Sequence, residues 1–283
     1  MARVRTDDEL VALARDVFPA GVAERWLGLR RAAVGLVPLP VGDVRTPVVG
    51  HLGGEPELPN DVPWPEAGGG RPLYHVATVD LGALAPEAAA AAGVPAQGRL
   101  LFFVDEALFE DGADEDDEAE GPVPAAAARL VHVPAGRTVR RRSTPGRGNA
   151  YERTRLGARL VATAPGAHDA AVRRAFGAEL DDPGHPLFGL PLARALADPE
   201  PDHRLGGHPQ PLRGPVELDA AVAALGPGAD VRLLAQFDRG DPDIAWHGDD
   251  GVLLYWLIRA DDLAAARFDR AVFVLRRPYP NWE

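Results

Sequence analysis

The feature that most constrains the fold is an internal repeat. The glycine pair at residues 53–54 recurs at residues 206–207, and the apolar, aromatic stretch 98–103 recurs at residues 251–256. Both matches have the same offset, since 206 − 53 and 251 − 98 each give 153 residues. Because two independent matches agree, the chain is predicted to contain two copies of one structural unit.

Each copy combines a glycine turn with several strands and little helix. Residues 73–80 and 231–238 are apolar stretches that close with aspartate, and an aromatic stretch follows each of them. Strand following strand is typical of α+β proteins rather than of a doubly wound parallel sheet. The sequence therefore predicts an internally duplicated α+β fold with two mainly antiparallel β-sheets. Residues 1–283 are expected to form one compact unit, divided into a first pseudo-repeat (35–140), a connecting insertion (141–202) and a second pseudo-repeat (200–283).

A helical segment is predicted before the repeats. Thr6 and Glu9 have the capping-box spacing, which predicts that a helix starts there. A second helical stretch is predicted over residues 22–33, and the Val- and Pro-rich residues 34–49 are predicted to be extended. The first residues turn acidic where a signal peptide would be apolar, and the chain has no window of about 18 apolar residues. We therefore predict a cytoplasmic protein without a membrane partner.

The net charge of −12 is concentrated in one acidic segment. Residues 110–120 carry eight carboxylates and no basic residue. This composition predicts a solvated surface loop, inserted in the first copy only. Residues 137–159 are rich in arginine and form either a second solvated segment or a grip for a phosphate-bearing partner. Nucleic-acid binding is not expected, because the chain is acidic as a whole and Tyr151 is the only aromatic residue in that stretch.

Several familiar chemistries are excluded by composition. The chain has no cysteine, which removes disulfides, thiolate metal sites and cysteine nucleophiles. Ser143 is its only serine and stands outside any nucleophile elbow, so a Ser-His-Asp hydrolase is not expected. The glycine pairs fit no phosphate-binding motif and are interpreted as tight turns. No cofactor is indicated by the sequence.

Two aspartates and two histidines occupy related places in the repeat. Asp80 and Asp238 end matching strands, where a pseudo-twofold axis would bring them to one cleft to bind a cation or to divide acid and base roles. Alternatively, each shapes the turn that follows. His51 and His203 precede the glycine pairs and are either ligands or bases, or they make structural hydrogen bonds.

Aromatic residues offer a second kind of site. Trp64 and Trp246 would bind a flat or peptide ligand if they line an exposed cleft. Tyr255 and Trp256 adjoin on a predicted strand, so they should face opposite sides of the sheet. The candidate ligand-binding residues are His51, Trp64, Asp80, His203, Gln236, Asp238, Trp246 and Asp249.

At these motifs the chain resembles the YwqG-like (DUF1963) family, a group defined by sequence and fold rather than by activity. The resemblance spans roughly residues 45–278 and implies a duplicated, mixed α+β fold with no established activity. Such proteins commonly show Gln-x-Asp at the end of the first strand; the second copy keeps Gln236, whereas the first copy has Thr78. If that glutamine touches a ligand, the first half-site is altered. The motifs are Gly53-Gly54-x-Pro56-x-Leu58-Pro59, Trp64-Pro65, Asp80-Leu81, Gly98-x-Leu100-x-Phe102-Phe103-x-Asp105, residues 203–210, Gln236-Phe237-Asp238 and Gly248-Asp249-x-Gly251-x-Leu253-x-Tyr255-Trp256-x-Ile258.

The preferred hypothesis is a noncatalytic protein that binds another protein or a peptide through the duplicated sheets. The alternative is a metal- or carboxylate-dependent small-molecule hydrolase that uses the two aspartates and two histidines around a pseudo-symmetric cleft. It requires these side chains to lie within about 3–4 Å of a common point. A third hypothesis is a scaffold whose working surface is residues 141–202.

Overall fold

One large antiparallel sheet dominates the molecule, with ten strands in the order β12-β11-β10-β9-β1-β8-β2-β4-β5-β6, and a small second sheet pairs β3 with β7. The computed structural model describes residues 7–109, 123–146, 151–189, 203–210, 220–226, 228–240 and 251–277. The strands are β1 (Arg31–Pro38), β2 (Gly50–Leu52), β3 (Glu57–Pro59), β4 (Tyr74–Asp80), β5 (Arg99–Val104), β6 (Ala128–Val133), β7 (Val139–Arg141), β8 (Thr154–Thr163), β9 (His203–Gly206), β10 (Val231–Asp238), β11 (Leu253–Arg259) and β12 (Val272–Arg276). The helices are α1 (Asp7–Val17), α2 (Ala20–Leu27), α3 (Pro86–Ala92), α4 (Ala170–Phe176), α5 (Ala220–Ala223) and α6 (Ala260–Ala264).

The strand order is symmetric about the β1–β8 pair. On one side of this pair lie β2, β4, β5 and β6, and on the other side lie β9 to β12 in the corresponding order. Mixed helix and sheet content and antiparallel pairing are confirmed. The described residues form one large and one small antiparallel sheet, and strands of both predicted repeats share the large one, because β1 and β8 pair along eight residues and join its two halves.

The N-terminal helices are present, but the second is shorter than predicted. Helix α2 ends at Leu27, and β1 already begins at Arg31, so the predicted helix over residues 22–33 is wrong at its C-terminal end. Gly28 follows α2, and the segment after it pairs on one side with β8 and on the other with β9, which overrides its helical pattern. Thr6 and the acidic segment 110–120 lie outside the described residues.

The large sheet folds back on itself around one apolar core. Phe102 on β5 meets Phe237 on β10 and Trp256 on β11, with ring centroids 5.0 and 4.9 Å apart, although these strands are far apart in the sheet order. Helix α3 packs on the same inner face, where Ala88 and Ala92 join the core. The side of the sheet that faces this core is called the inner face below, and the opposite side the outer face.

Smaller clusters surround this core. Helices α1, α2 and α4 pack against Ala162 and Ala164 at the end of β8. On the outer face, the β3–β7 pair covers β5, and the α5 segment covers β10 to β12. Tyr255 lies in the last of these clusters while Trp256 lies in the inner core, so the predicted opposite orientation is confirmed. Both side chains are buried.

Candidate functional site

His51 and His75 form a buried pair beside the glycine turn at residues 53–54. Their ring centroids are 5.3 Å apart, and the Nδ1 atoms lie 2.8 and 3.2 Å from the carbonyl oxygen of Gly53. Because a carbonyl only accepts, both Nδ1 atoms are the donors, which leaves Nε2 of His75 to accept from the Thr78 hydroxyl at 2.8 Å. The two imidazoles therefore make structural hydrogen bonds to the turn and the strand.

Burial keeps both imidazoles neutral. Desolvation and, to a smaller extent, the nearby Arg153 lower the pKa of His51 to about 4. Desolvation also lowers the pKa of His75 to about 3, with a second contribution from His51. A neutral pair at pH 7 matches the hydrogen bonds described above, in which each ring donates through Nδ1.

Asp80 and Asp238 make the contacts that the turn hypothesis predicts. Oδ1 of Asp80 accepts a hydrogen bond from the Gly82 amide at 3.0 Å, and Oδ1 of Asp238 accepts one from the Gly240 amide at 2.8 Å. Oδ2 of Asp80 also accepts a hydrogen bond from Nε of Arg99 at 3.2 Å. Each carboxylate thus stabilises the chain reversal after its own strand.

The sheet separates these aspartates and histidines. Strands β4 and β10 are five pairing steps apart and every step is antiparallel, so they run in opposite directions and their terminal aspartates leave opposite strand ends. His203 pairs with the core residue Leu36 and shares its inner face, whereas His51 is preceded and followed on β2 by residues that face inward. His51 and His203 therefore lie on opposite faces of the sheet.

His203 and Gln236 make separate buried hydrogen bonds on opposite faces of the sheet, since His203 pairs with Leu36 and Gln236 pairs with Arg204 and Tyr255. Nδ1 of His203 accepts the Asp238 amide proton at 3.1 Å, and Oε1 of Gln236 accepts the Gln210 amide proton at 2.8 Å. The Tyr255 hydroxyl donates to the carbonyl oxygen of Gln210 at 2.8 Å. Gln236 thus fixes the segment that follows β9. Its counterpart in the first half, Thr78, instead donates a hydrogen bond to Nε2 of His75.

Trp64 is part of a packed cluster. Its Nε1 donates to the carbonyl oxygen of Leu73 at 2.9 Å, its ring meets Phe103 edge-on at 5.7 Å, and only 6% of its surface is exposed. Trp246 and Asp249 lie outside the described residues. Trp64 thus supports the cluster under the β3–β7 pair.

Sequence reasoning missed a buried charged cluster that joins the two halves. The guanidinium of Arg239 lies 4.3 Å from the ring centroid of Phe109 and 3.9 Å from Glu106 Oε1. The Tyr151 hydroxyl donates to the same carboxylate, and burial raises the pKa of Tyr151. A charged residue directly after a strand normally belongs to an exposed loop, so nothing in the local pattern marks Arg239 as buried.

Strand β8 has a stretch without a neighbour on one side. Strand β2 pairs only with Thr154, Arg155 and Leu156, whereas β1 pairs along eight residues, as far as Thr163. The carbonyl of Arg155 accepts from Leu39, on the β1 side, so the odd-numbered residues of β8 direct their backbone groups to β1 and the even-numbered ones to the other side. Among the described residues, no hydrogen bond reaches the N–H or C=O of Ala158 or Leu160 from that other side.

This open edge is accessible and lies beside arginines. Leu160 is 47% exposed and Val48, just before β2, is 42% exposed. Thr46 and Leu39 lie over Gly157 on the outer face, since a Cβ atom at that glycine would be 2.9 Å from Thr46 Cγ2. The edge at residues 158–160 begins just beyond this cover.

Arg159 stands on the outer face of the open edge. It is exposed and makes no ion pair with any carboxylate that the structure describes. Its partner on β1 is Gly35, which has no side chain to meet it. Neither feature is visible in the sequence alone, because strand lengths decide which residues have neighbours.

A family model described as "Domain of unknown function (DUF1963)" matches residues 50–276. The chain belongs to the DUF1963 family. This confirms the resemblance drawn from the glycine turns and the aromatic strands, and the matched region of this DUF1963 protein runs from β2 to the end of β12. No curated protein matches the chain. The family description carries no activity, so the function is argued from the geometry.

Two further findings bear on the DUF1963 chain. In the parts of the chain that the structure covers, no helix is long and apolar enough to cross a membrane. Within the same residues there is no group of three or more His, Asp or Glu side chains arranged to hold a metal ion.

Proposed function

We propose that this DUF1963 protein is a noncatalytic protein that binds an extended segment of a protein or peptide by adding it as a strand to the open edge of β8. The observation that carries the proposal is the stretch of β8 over residues 158–160, whose backbone groups on one side meet no partner among the residues that the structure describes. An extended segment that pairs with such an edge gains main-chain hydrogen bonds in register. The edge therefore supplies both affinity and direction.

Unpaired edges are usually blocked, which makes this one informative. Proteins cover exposed edges with a loop, a charge that points inward, or a bulge, because a free edge invites pairing. Here the edge lies beyond the N-terminal end of the short β2, at a level where β4 has also ended at Asp80, and Leu160 is exposed beside it. An added segment would continue the sheet in the place that β2 leaves empty.

The hydrolase alternative receives less support from the geometry. It needs His51, His203, Asp80 and Asp238 around one cleft, whereas the sheet places the histidines on opposite faces and the aspartates at opposite strand ends. The backbone and strand contacts of these residues are those of turns and packing. A binding function requires no such convergence.

We also propose that the two halves arose by duplication and that the protein works in the cytoplasm. Support for duplication comes from matching irregularities: β4 shifts register between His75 and Ala77, and β10 shifts between Leu233 and Ala235. These shifts are offset by 235 − 77, or 158 residues, as are the terminal aspartates at 238 and 80. Both glycine pairs also have positive φ.

The test uses acetylated nonapeptides that present Val-Gln-Val, Val-Glu-Val or Val-Lys-Val between identical Ser-Thr flanks. Each is titrated against the full chain by fluorescence anisotropy. Binding of at least one peptide, and its loss when alternate amides of that peptide are N-methylated, is the expected result, because methylation removes the donors that pair with β8. Absence of binding by all three peptides would overturn the proposal.

A backbone variant localises the binding. Leu160→Pro removes an N–H that points away from β1, so the β1–β8 ladder keeps its hydrogen bonds while the open edge loses a donor. Leu160→Ala is the matched control, because it shortens the side chain and keeps the donor. Binding should be lost in the proline variant and retained, weaker, in the alanine variant. Equal binding by both would place the peptide elsewhere. Circular dichroism checks that both variants fold.

A further inference from the structure

We infer that the segment that adds to β8 carries an acidic side chain opposite Arg159, between two apolar residues. The inference rests on the proposed strand addition and names the chemistry of the partner. It identifies an apolar-acidic-apolar triplet within an extended segment.

Arg159 lacks a side-chain partner on the neighbouring strand β1. In an antiparallel sheet, a side chain meets the residues directly opposite it on each neighbouring strand. On the β1 side Arg159 faces Gly35, which offers only hydrogen. On the other side no described residue pairs with Arg159, so an added strand would supply the cross-strand partner there. An acidic residue at that position would have its Cβ atom about 4.5–5.5 Å from the Cβ atom of Arg159, the spacing of directly opposite residues.

The two residues that flank the acidic one in the added segment meet an apolar surface. Successive residues of a strand face opposite sides of the sheet. The residues beside the acidic one therefore face the inner side, next to Ala158 and Leu160. Leu160 pairs with Val34, which is fully buried in the core, and Ala158 packs against the same core. Apolar side chains at both flanks would cover the exposed half of Leu160.

Several charged side chains lie near the open edge of β8 on the outer face. Arg155 lies on the same face of β8 as Arg159, and Arg45 lies in the loop that covers Gly157. Asp43 in the same loop keeps its negative charge and interacts with Arg155. Arg159 makes no ion pair with any carboxylate that the structure describes, so its charge favours an acidic segment over a basic one.

The experiment compares the same three nonapeptides, which differ only at the central residue. The Glu peptide should bind about 2- to 5-fold more tightly than the Gln peptide, the range expected for one exposed cross-strand ion pair, and the Lys peptide should bind more weakly than both. Raising the salt concentration from 0.05 to 0.5 M should reduce the Glu preference, because exposed charges are screened.

Arginine variants assign the preference to one side chain. Arg159→Gln should abolish the difference between the Glu and Gln peptides while leaving binding of the Gln peptide unchanged. Arg129→Gln, which removes an exposed arginine from β6 on the far edge of the sheet, should leave the difference intact.

The outcomes separate this inference from the proposed function. If the three peptides bind equally and Leu160→Pro abolishes binding of all of them, strand addition stands and the acidic preference is overturned. If a Glu preference persists in Arg159→Gln, the assignment to Arg159 is overturned. If no peptide binds, the proposed function itself fails, and the inference fails with it.

Discussion

The aromatic contact across the core predicts that the two halves unfold together. Phe102 is fully buried and contacts Phe237 and Trp256, which lie on strands of the other half of the sheet. Phe102→Ala should lower the free energy of unfolding by about 3–5 kcal/mol for the lost burial and the cavity. The two ring contacts, worth about 0.5–1.5 kcal/mol each, place the value at the upper end of that range. For a chain of this size such a loss corresponds to roughly 10 °C in Tm.

The assay is thermal and urea unfolding followed by circular dichroism and by tryptophan fluorescence. One transition with the same midpoint in both signals is expected, because Trp256 lies at the contact and Trp26 lies in the helical cluster. Phe188→Ala is the control: it deletes the same atoms at a half-buried position and should cost less than half as much. A loss below about 1.5 kcal/mol for Phe102→Ala, or separate transitions for the two signals, would refute the shared core.

Three further predictions follow from buried or strained positions. The pKa of His75 falls to about 3 on folding, so the unfolded chain takes up the proton first and the free energy of unfolding decreases as the pH falls below 6.5. In urea titrations, the His75→Gln variant should therefore lose about 2 kcal/mol less of this free energy than the parent between pH 6.5 and 4.5. Equal losses would contradict the neutral imidazole. Gly207→Ala should cost about 2–5 kcal/mol, since φ is +78° and the new Cβ would lie 2.6 Å from Thr163 Oγ1, whereas Gly21→Ala meets nothing within 4 Å and should be neutral or stabilising. Asp80→Asn keeps an oxygen for the Gly82 amide and should cost under about 1 kcal/mol, less than Asp80→Ala; the reverse order in chemical denaturation would argue against the turn role.

Local signals in the sequence predicted local structure well. The strands that end at Asp80 and Asp238 are present, and the carboxylates bind the amides two residues later, as a turn requires. Both glycine pairs have positive φ and close backbone contacts, which only glycine tolerates. These features depend on neighbouring residues, so they can be inferred from the chain itself.

Relations between distant segments were not predictable in the same way. No local pattern within residues 141–202 marks β8 as the strand that lies at the centre of the sheet. The helix predicted up to residue 33 gave way to β1, because pairing with two strands outweighs a helical pattern. The open edge of β8 depends on the difference in length between β1 and β2, which no motif records.

The central β1–β8 pair has a consequence for how the protein is made. Strand β1 ends at residue 38, but its partner β8 is complete only at residue 163, so 163 − 38, or 125, residues must be added before the two can pair in full. At typical rates of synthesis that takes about 6–25 s. During this interval β1 lacks both of its neighbours in the finished sheet. A ribosome halted before residue 154 would therefore hold a nascent chain whose first strand is exposed to aggregation, and N-terminal fragments that contain β1 but end before β8 should aggregate when expressed by themselves.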